Sequence, residues 1–124
     1  MSLWVWAAIA GAGALGAVVR YLIDSTIAMR TFSAFPFGTL SINLSGSFVL
    51  GVITGVALYH AFPATPKLVL GTGLCGAYTT FSTFTFESVL LAREGEGRGA
   101  LLNVAGTLVG GCLAAGLGLV LAGA

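Results

Sequence analysis

Long apolar runs separated by short polar segments form the main pattern of this chain. Four runs are close to or longer than the ~20 residues that a helix needs to cross a bilayer. They cover residues 4–23, 37–59, 67–92 and 99–122. Most of the charged residues and all of the prolines lie between the runs or at their edges. The pattern therefore predicts an all-α membrane protein with one four-helix transmembrane domain over residues 1–124.

Composition supports this prediction and excludes several classes of protein. Hydrophobic residues make up 57% of the chain and charged residues 7%, whereas a soluble domain carries about 25% charged residues. The net charge of +1 suggests no nucleic-acid partner. With one histidine and no cluster of metal-ligating residues, an enzyme is not expected. The first run lacks a preceding basic segment, so we interpret it as a retained helix rather than a signal peptide.

The few charges are unevenly divided between the two ends of the predicted helices. Arg30, Arg93 and Arg98 lie on one side of the membrane, where Arg20 can join them by snorkelling. Lys67 lies on the other side. By the positive-inside rule this distribution would place both termini outside.

Small residues recur at the four-residue spacing that allows helix backbones to approach closely. The pairs are Ala12 with Gly16, Gly51 with Gly55, and Gly106 with Gly110. They are consistent with packing inside one four-helix bundle. Because so small a bundle has little interior, a polar pathway through it is expected to need a second copy of the chain.

The third run contains an unusual polar stretch, GTGLCGAYTTFSTFTFE, at residues 71–87. Gly73 and Gly76 are followed by Tyr78, Thr79 and Thr80, which predicts a break in the helix. Non-helical backbone at membrane depth survives only where protein buries it or where it lines a wet cavity. Carbonyl groups released at such a break are natural cation ligands.

Just after the predicted break, Phe81 and Phe84 share one helix face, with Ser82 and Thr83 between them. Phenylalanine usually serves packing alone, and this alternative stays open. An aromatic ring nevertheless has a positive edge. Ring edges next to hydroxyl and amide donors therefore predict a site for a small anion. Glu87 lies six residues past Phe81, about 9 Å along the helix, and is either a solvated residue at the helix end or a vestibule group near one mouth of the predicted site.

The second and fourth runs supply further polar groups at helical spacing. Thr39 and Asn43 lie one turn apart on the second run, and Asn103 and Thr107 on the fourth. The amide of Asn43 carries two donors that hydrocarbon cannot satisfy. It is predicted either to face an ion or to bind helices together.

Three motifs closely resemble the Fluc, or CrcB, family of fluoride channels: TTFSTF at 79–84, GTxxxNxxG at 38–46 and GAxxR at 16–20. The resemblance covers all four runs in order. It implies an antiparallel, dual-topology dimer with two fluoride pores at its interface. It also implies pore residues, namely Asn43, Phe81 and Phe84 as ion contacts and Ser82, Thr83, Thr39, Thr107 and Asn103 as a polar track.

The resemblance further implies a structural sodium ion at the centre of the dimer, held by backbone carbonyls of Gly76 and Thr79 from each subunit. Arg20 and Glu87 would be the vestibule residues. The sequence departs from the family pattern at Gly111, where another hydroxyl is expected. The uneven charge distribution leaves open whether the partner is an identical copy or a paired homologous subunit.

The resulting expectation is a fluoride-selective channel of the plasma or inner membrane of a microbe that exports fluoride passively. Fluoride enters acidified cells as neutral hydrogen fluoride and is trapped as the anion, so a selective leak suffices. One alternative is a small multidrug-type exporter of dual topology, which would need a carboxylate inside the first span. Asp24 stands only at the end of that span. A second alternative is a membrane assembly subunit without transport activity.

Overall fold

The computed structural model describes all 124 residues, and it consists of helices joined by short turns. Helix α1 spans Leu3–Arg30, α2 spans Phe37–Tyr59 and α6 spans Gly97–Gly123. These three helices are long and apolar enough to cross a membrane. Between α2 and α6 lies a segmented helix, made of α3 (Ala64–Leu68), a π-helical turn (Val69–Cys75), α4 (Gly76–Tyr78) and α5 (Phe81–Arg93). The predicted all-α class is confirmed.

Helix α1 continues to Arg30, well past the predicted end of the apolar run at Ile23. Residues 24–30 contain polar side chains but neither glycine nor proline, so nothing in them stops a helix. The helix ends where Thr31 turns extended, with φ −123° and ψ 132°. Hydropathy thus marks the end of the apolar run, whereas backbone chemistry marks the end of the helix.

Helices α2 and α6 pack along what we call the glycine seam, formed by Gly51, Gly55 and Gly118. A Cβ atom on Gly51 would overlap the backbone carbonyl of Ala115, and one on Gly118 would overlap that of Phe48. The two backbones therefore touch directly. Close packing of this kind promotes helix association in lipid, where apolar burial brings no gain over the surrounding hydrocarbon.

Helix α1 packs in a similar way against the π-helical turn. A Cβ on Gly16 would meet the carbonyl of Leu74, and one on Gly73 would come within 2.9 Å of the carbonyl of Ile9. The predicted small pair on α6 behaves differently. Nothing lies within 4 Å of where a Cβ on Gly106 would stand, and the nearest atoms to a Cβ on Gly110 belong to the side chain of Leu44, at 3.0 Å.

A single chain buries little of itself. Only 15 of 124 residues are buried, and Ile42, Cys75 and Leu91 are the only hydrophobic ones among them other than the small glycines and proline. Large apolar side chains cover the outside along α1 and α6. Such a surface is stable only against lipid or another subunit.

Candidate functional site

The segmented helix is interrupted at Thr79 and Thr80, whose backbones are both extended (φ −77°, ψ 157° and φ −145°, ψ 120°). The side-chain amide of Asn43 on α2 closes the gap. Its Nδ2 donates to the carbonyl oxygen of Thr80 at 3.0 Å, and its Oδ1 accepts from the Thr80 N–H at 2.8 Å. Asn43 thus pairs with the interrupted backbone much as another peptide group would.

This pairing leaves carbonyl groups without their usual helical partners. In a continuous α-helix the N–H of Thr80 would bond to the carbonyl of Gly76, and that of Thr83 to the carbonyl of Thr79. Here the Thr80 N–H donates to Asn43, and the Thr83 N–H donates to the hydroxyl of Thr80 at 3.2 Å. The helical donors of the Gly76 and Thr79 carbonyls are therefore both used elsewhere.

Thr80 also begins α5 as its N-cap. Besides accepting from the Thr83 N–H, its hydroxyl donates to Thr83 Oγ1 at 3.1 Å and lies 3.4 Å from Ser82 Oγ. A threonine at this position satisfies one of the N–H groups that a helix start leaves free. The interruption is therefore held by side chains on both of its ends.

The interruption opens onto a concave face with a volume of about 610 Å³. Six of the residues predicted from the sequence line this face: Asn43, Gly76, Thr79, Phe81, Phe84 and Thr107. The rings of Phe81 and Phe84 lie 5.9 Å apart between centroids and are tilted by 51°. Phe81 is 78% exposed, so its ring is open to contact from outside the chain.

The other predicted residues lie away from the concave face. Ser82 and Thr83 are exposed on the first turn of α5, and Arg20 is half-buried on α1. Thr39 is buried and donates a hydrogen bond to Glu87 Oε1 at 2.5 Å, which links α2 to α5. Asn103 is fully buried. None of these residues lines the concave face.

Four residues contribute to this site through contacts that sequence reasoning did not predict. Gly46 lets α2 approach the interruption, since a Cβ there would overlap the side chain of Thr79. Tyr78 and Ser45 share a hydrogen bond of 2.9 Å beside it. Ser88, one turn after Phe84, binds the Phe84 carbonyl at 2.8 Å. The signal for Gly46 was its spacing from Asn43; Ser88 gave no signal of its own.

The chemistry of the concave face suits a small ion better than a reaction. None of its lining side chains carries a charge. Asn43 retains a second amide proton after bonding to Thr80. This proton and the edges of two phenylalanine rings are weak donors with no competing carboxylate. The face therefore offers positive partial charge near Phe81 and Phe84, and carbonyl oxygens near Gly76.

Comparison with known proteins gives a consistent result. Residues 7–119 match the family described as CrcB-like protein, Camphor Resistance (CrcB). The chain is 48% identical over 116 residues to the fluoride-specific ion channel FluC 1 of Leifsonia xyli subsp. xyli. The aligned residues make up 94% of this chain and 85% of that relative. It is 42% identical over 118 residues to FluC 2 of Moorella thermoacetica, covering 95% and 96%. It is also 44% identical over 110 residues to FluC of Methanocaldococcus jannaschii, covering 89% of this chain and 87% of that relative.

Proposed function

The chain belongs to the CrcB-like family, and from this membership we propose that it is a fluoride-selective ion channel that lowers cytoplasmic fluoride by passive export. The chain is a multi-pass membrane protein, and we place it in the plasma or inner membrane. Its relatives from Leifsonia xyli subsp. xyli, Moorella thermoacetica and Methanocaldococcus jannaschii share the name of fluoride-specific ion channel. Neither alternative, a multidrug-type exporter or an assembly subunit without transport activity, is supported by these relatives.

The observation that carries this proposal is the meeting of Asn43, Phe81 and Phe84 on one uncharged concave face. An ion entering such a narrow site must lose water, and the site must replace that water with its own groups. The free Asn43 proton and the ring edges favour an anion. Fluoride is the anion that gains most from compact donors of this kind, because it is small and holds its charge tightly.

The polar track of the proposed pore extends beyond these three residues. Thr107 borders the concave face from α6, while Ser82 and Thr83 present hydroxyl groups at the exposed start of α5. Thr39 and Glu87, joined by their hydrogen bond, lie toward one mouth. We assign Glu87 and Arg20 to a vestibule in which the ion is still hydrated.

We further propose that the working unit is an antiparallel dimer. The concave face is open on one side, and Phe81 is largely exposed within it, so a second subunit is needed to enclose a path. An identical copy inserted in the opposite direction would supply it. A reporter fused to the C-terminus should then be found on both sides of the membrane. Labelling of one side only would favour a paired homologous subunit instead.

A structural sodium ion at the centre of that dimer is part of the same proposal. The carbonyl groups of Gly76 and Thr79 have lost their helical donors, and Gly76 is exposed on the concave face. Two such pairs, one from each subunit, would surround a monovalent cation with four neutral oxygens, whereas a divalent ion normally recruits carboxylates. An experimental structure of the dimer with a water network in this place would refute the assignment.

The decisive experiment measures fluoride efflux from liposomes that contain only this chain. We expect rapid loss of fluoride from the vesicles and no comparable loss of chloride, without any energy source. Protein-free liposomes provide the baseline. If vesicles carrying folded protein lose fluoride no faster than this baseline, the channel assignment is wrong for the chain acting alone.

A further inference from the structure

A second recess, which we call the lateral crevice, lies between α2 and the first half of the segmented helix. It has a volume of about 480 Å³. Its lining residues come from one stretch of α2 and from the start of the segmented helix: Leu50, Ile53, Thr54, Ala64, Lys67, Leu68, Gly71 and Thr72. Only Leu50 also lines the concave face. The lateral crevice is therefore a separate feature that the proposed pore does not use.

The crevice exists because the segmented helix leans toward α1. A Cβ on Gly73 would come within 2.9 Å of the backbone carbonyl of Ile9 on α1. On the side of α2, a Cβ on Gly71 would reach only the end of the Leu50 side chain, at 3.6 Å. The π-helical turn thus touches the backbone of α1 and leaves a gap beside α2. Most of the side chains around this gap are aliphatic, so an acyl chain can enter it.

One cation stands at the outer end of the crevice. Lys67 belongs to α3, is exposed and lines the crevice. No carboxylate lines the crevice with it, and the chain contains no Asp or Glu between residues 25 and 86. A lysine near the end of a membrane helix extends its ammonium group to the level of the lipid headgroups. The Lys67 ammonium is therefore available to an anionic group at the membrane surface.

A hydroxyl group lies deeper in the same crevice. On the α2 wall, the Thr54 hydroxyl donates to the carbonyl of Leu50 at 2.8 Å. Thr72 differs, because its side chain is exposed in the crevice and makes no hydrogen bond within the chain. It follows Lys67 by five residues, which is no more than about 7 Å along the helix. Within the bilayer such a hydroxyl lacks water, so it needs an acceptor from lipid or protein.

We propose that the lateral crevice binds one phospholipid of the surrounding leaflet and prefers an anionic headgroup. The Lys67 ammonium pairs with the phosphate, and the Thr72 hydroxyl donates to an ester carbonyl of the glycerol backbone. One acyl chain then lies along Leu50, Ile53 and Leu68. The depths agree, since the interfacial layer between headgroup and hydrocarbon is about 5–8 Å thick on each side of a bilayer. This inference does not depend on fluoride conduction.

Photocrosslinking tests whether a lipid occupies the crevice. The full chain is reconstituted with phosphatidylglycerol that carries a photoreactive group on one acyl chain, and the labelled residues are mapped by mass spectrometry. We expect more label on residues 50–54 and 68–72 than on the outer face of α6. Gly71→Leu fills the crevice and should reduce only the labels there. Even labelling of all outer faces, or an unlabelled crevice covered by a second copy, would overturn the proposal.

Competition between lipids tests the role of Lys67. Unlabelled phosphatidylglycerol should displace the probe at about one fifth of the concentration that phosphatidylcholine requires, because one lysine near the surface favours an anionic lipid by about that factor. Lys67→Gln should abolish this preference. The control Arg30→Gln, at the opposite end of the bundle, should keep it. An unchanged preference in Lys67→Gln, or displacement by inorganic phosphate as effective as that by lipid, would refute the assignment.

The same measurement tests Thr72. Thr72→Val should lower the apparent affinity for both lipids about fivefold, because both carry the ester carbonyl that loses its donor. Thr54→Val is the matched control, since the Thr54 hydroxyl lines the same crevice but is bonded to its own helix. If Thr72→Val binds both lipids as tightly as the parent does, the proposed position of the lipid is wrong.

Discussion

At the glycine seam, α2 and α6 approach so closely that no side chain fits between them, whereas earlier along α2 the amide of Asn43 reaches across to a backbone that has no helical partner. The seam depends on the absence of side chains at Gly51 and Gly118. The interruption depends on hydrogen bonds from the side chains of Asn43 and Thr80. One helix thus takes part in two kinds of contact with opposite requirements.

The difference follows from what lipid permits. An intact helix satisfies its own backbone, so the seam needs only matching shapes. An interrupted helix exposes N–H and carbonyl groups, each of which costs several kcal/mol if it stays unpaired in hydrocarbon. At Thr79 and Thr80 side chains take over part of that pairing. The seam therefore excludes added atoms, while the interruption depends on hydrogen bonds from side chains.

Adding atoms at the seam should have the largest effect. Gly118→Leu would drive a side chain into the carbonyl of Phe48 and the backbone of Val52, so α2 and α6 must separate. We expect a loss of about 3 kcal/mol or more, read as a collapse in the yield of monodisperse protein and in its unfolding temperature. Gly116→Leu is the matched control, since nothing lies within 4 Å of its Cβ position. Equal losses in both variants would show that the seam is not the constraint.

Removing a donor at the interruption should act mainly on transport. Asn43→Asp keeps an acceptor for the Thr80 N–H but places a carboxylate against the Thr80 carbonyl and on the path of an anion. We expect fluoride flux to fall about a hundredfold or more, since loss of a bond to a charged group is worth about 1.5–3 kcal/mol before repulsion is added. Ser41→Ala, on the exposed side of α2, should leave flux unchanged. Normal flux through folded Asn43→Asp would remove Asn43 from the pore.

The contrast between the glycine seam and the interruption also explains which features the sequence could predict. Apolar runs reveal helices because the bilayer imposes a length and a composition on them. The all-α class could therefore be predicted from the sequence. The glycine-rich stretch before Thr79 pointed to an interruption, and the structure places it at Thr79 and Thr80. The resemblance in TTFSTF then pointed to the family, which the comparisons show.

Other features of the site could not be predicted because they depend on partners far apart in the chain. Nothing in the local sequence indicates that Asn43 pairs with both backbone groups of Thr80, or that Thr39 bonds to Glu87. Spacing on one helix also does not reveal depth. Asn103 and Thr107 share a face, yet Thr107 borders the concave face and Asn103 lies fully buried behind it.

A smaller effect on transport is expected from the ring edge of Phe81. Phe81→Ile keeps apolar bulk and removes the electropositive edge, so flux should fall about tenfold to a hundredfold while stability changes little at so exposed a position. Phe86→Ile is the matched control on the same helix. Phe86 is 68% exposed and does not line the concave face, so its replacement should leave fluoride flux intact. A similar loss in both variants would point to general damage to α5.

The smallest expected effect concerns the cap of α5, where the interruption returns to helix. Thr80→Val preserves the shape of the side chain but removes the hydroxyl that accepts from the Thr83 N–H and bonds to Thr83 Oγ1. We expect a loss of about 1 kcal/mol in the free energy of unfolding, the usual value of an N-cap, measured as a lower unfolding temperature.

The control for this cap is Thr85→Val, in the second turn of α5. The Thr85 hydroxyl donates only to carbonyl groups of its own helix, at Phe81 and Ser82, which those carbonyls do not require for helical pairing. Its removal should change stability by no more than about 0.5 kcal/mol. If Thr80→Val is as harmless as Thr85→Val, then the start of α5 is held by Asn43 alone. In that case only the hydrogen bonds from Asn43 on α2 would be essential for the stability of the interruption, and those of the Thr80 hydroxyl would not.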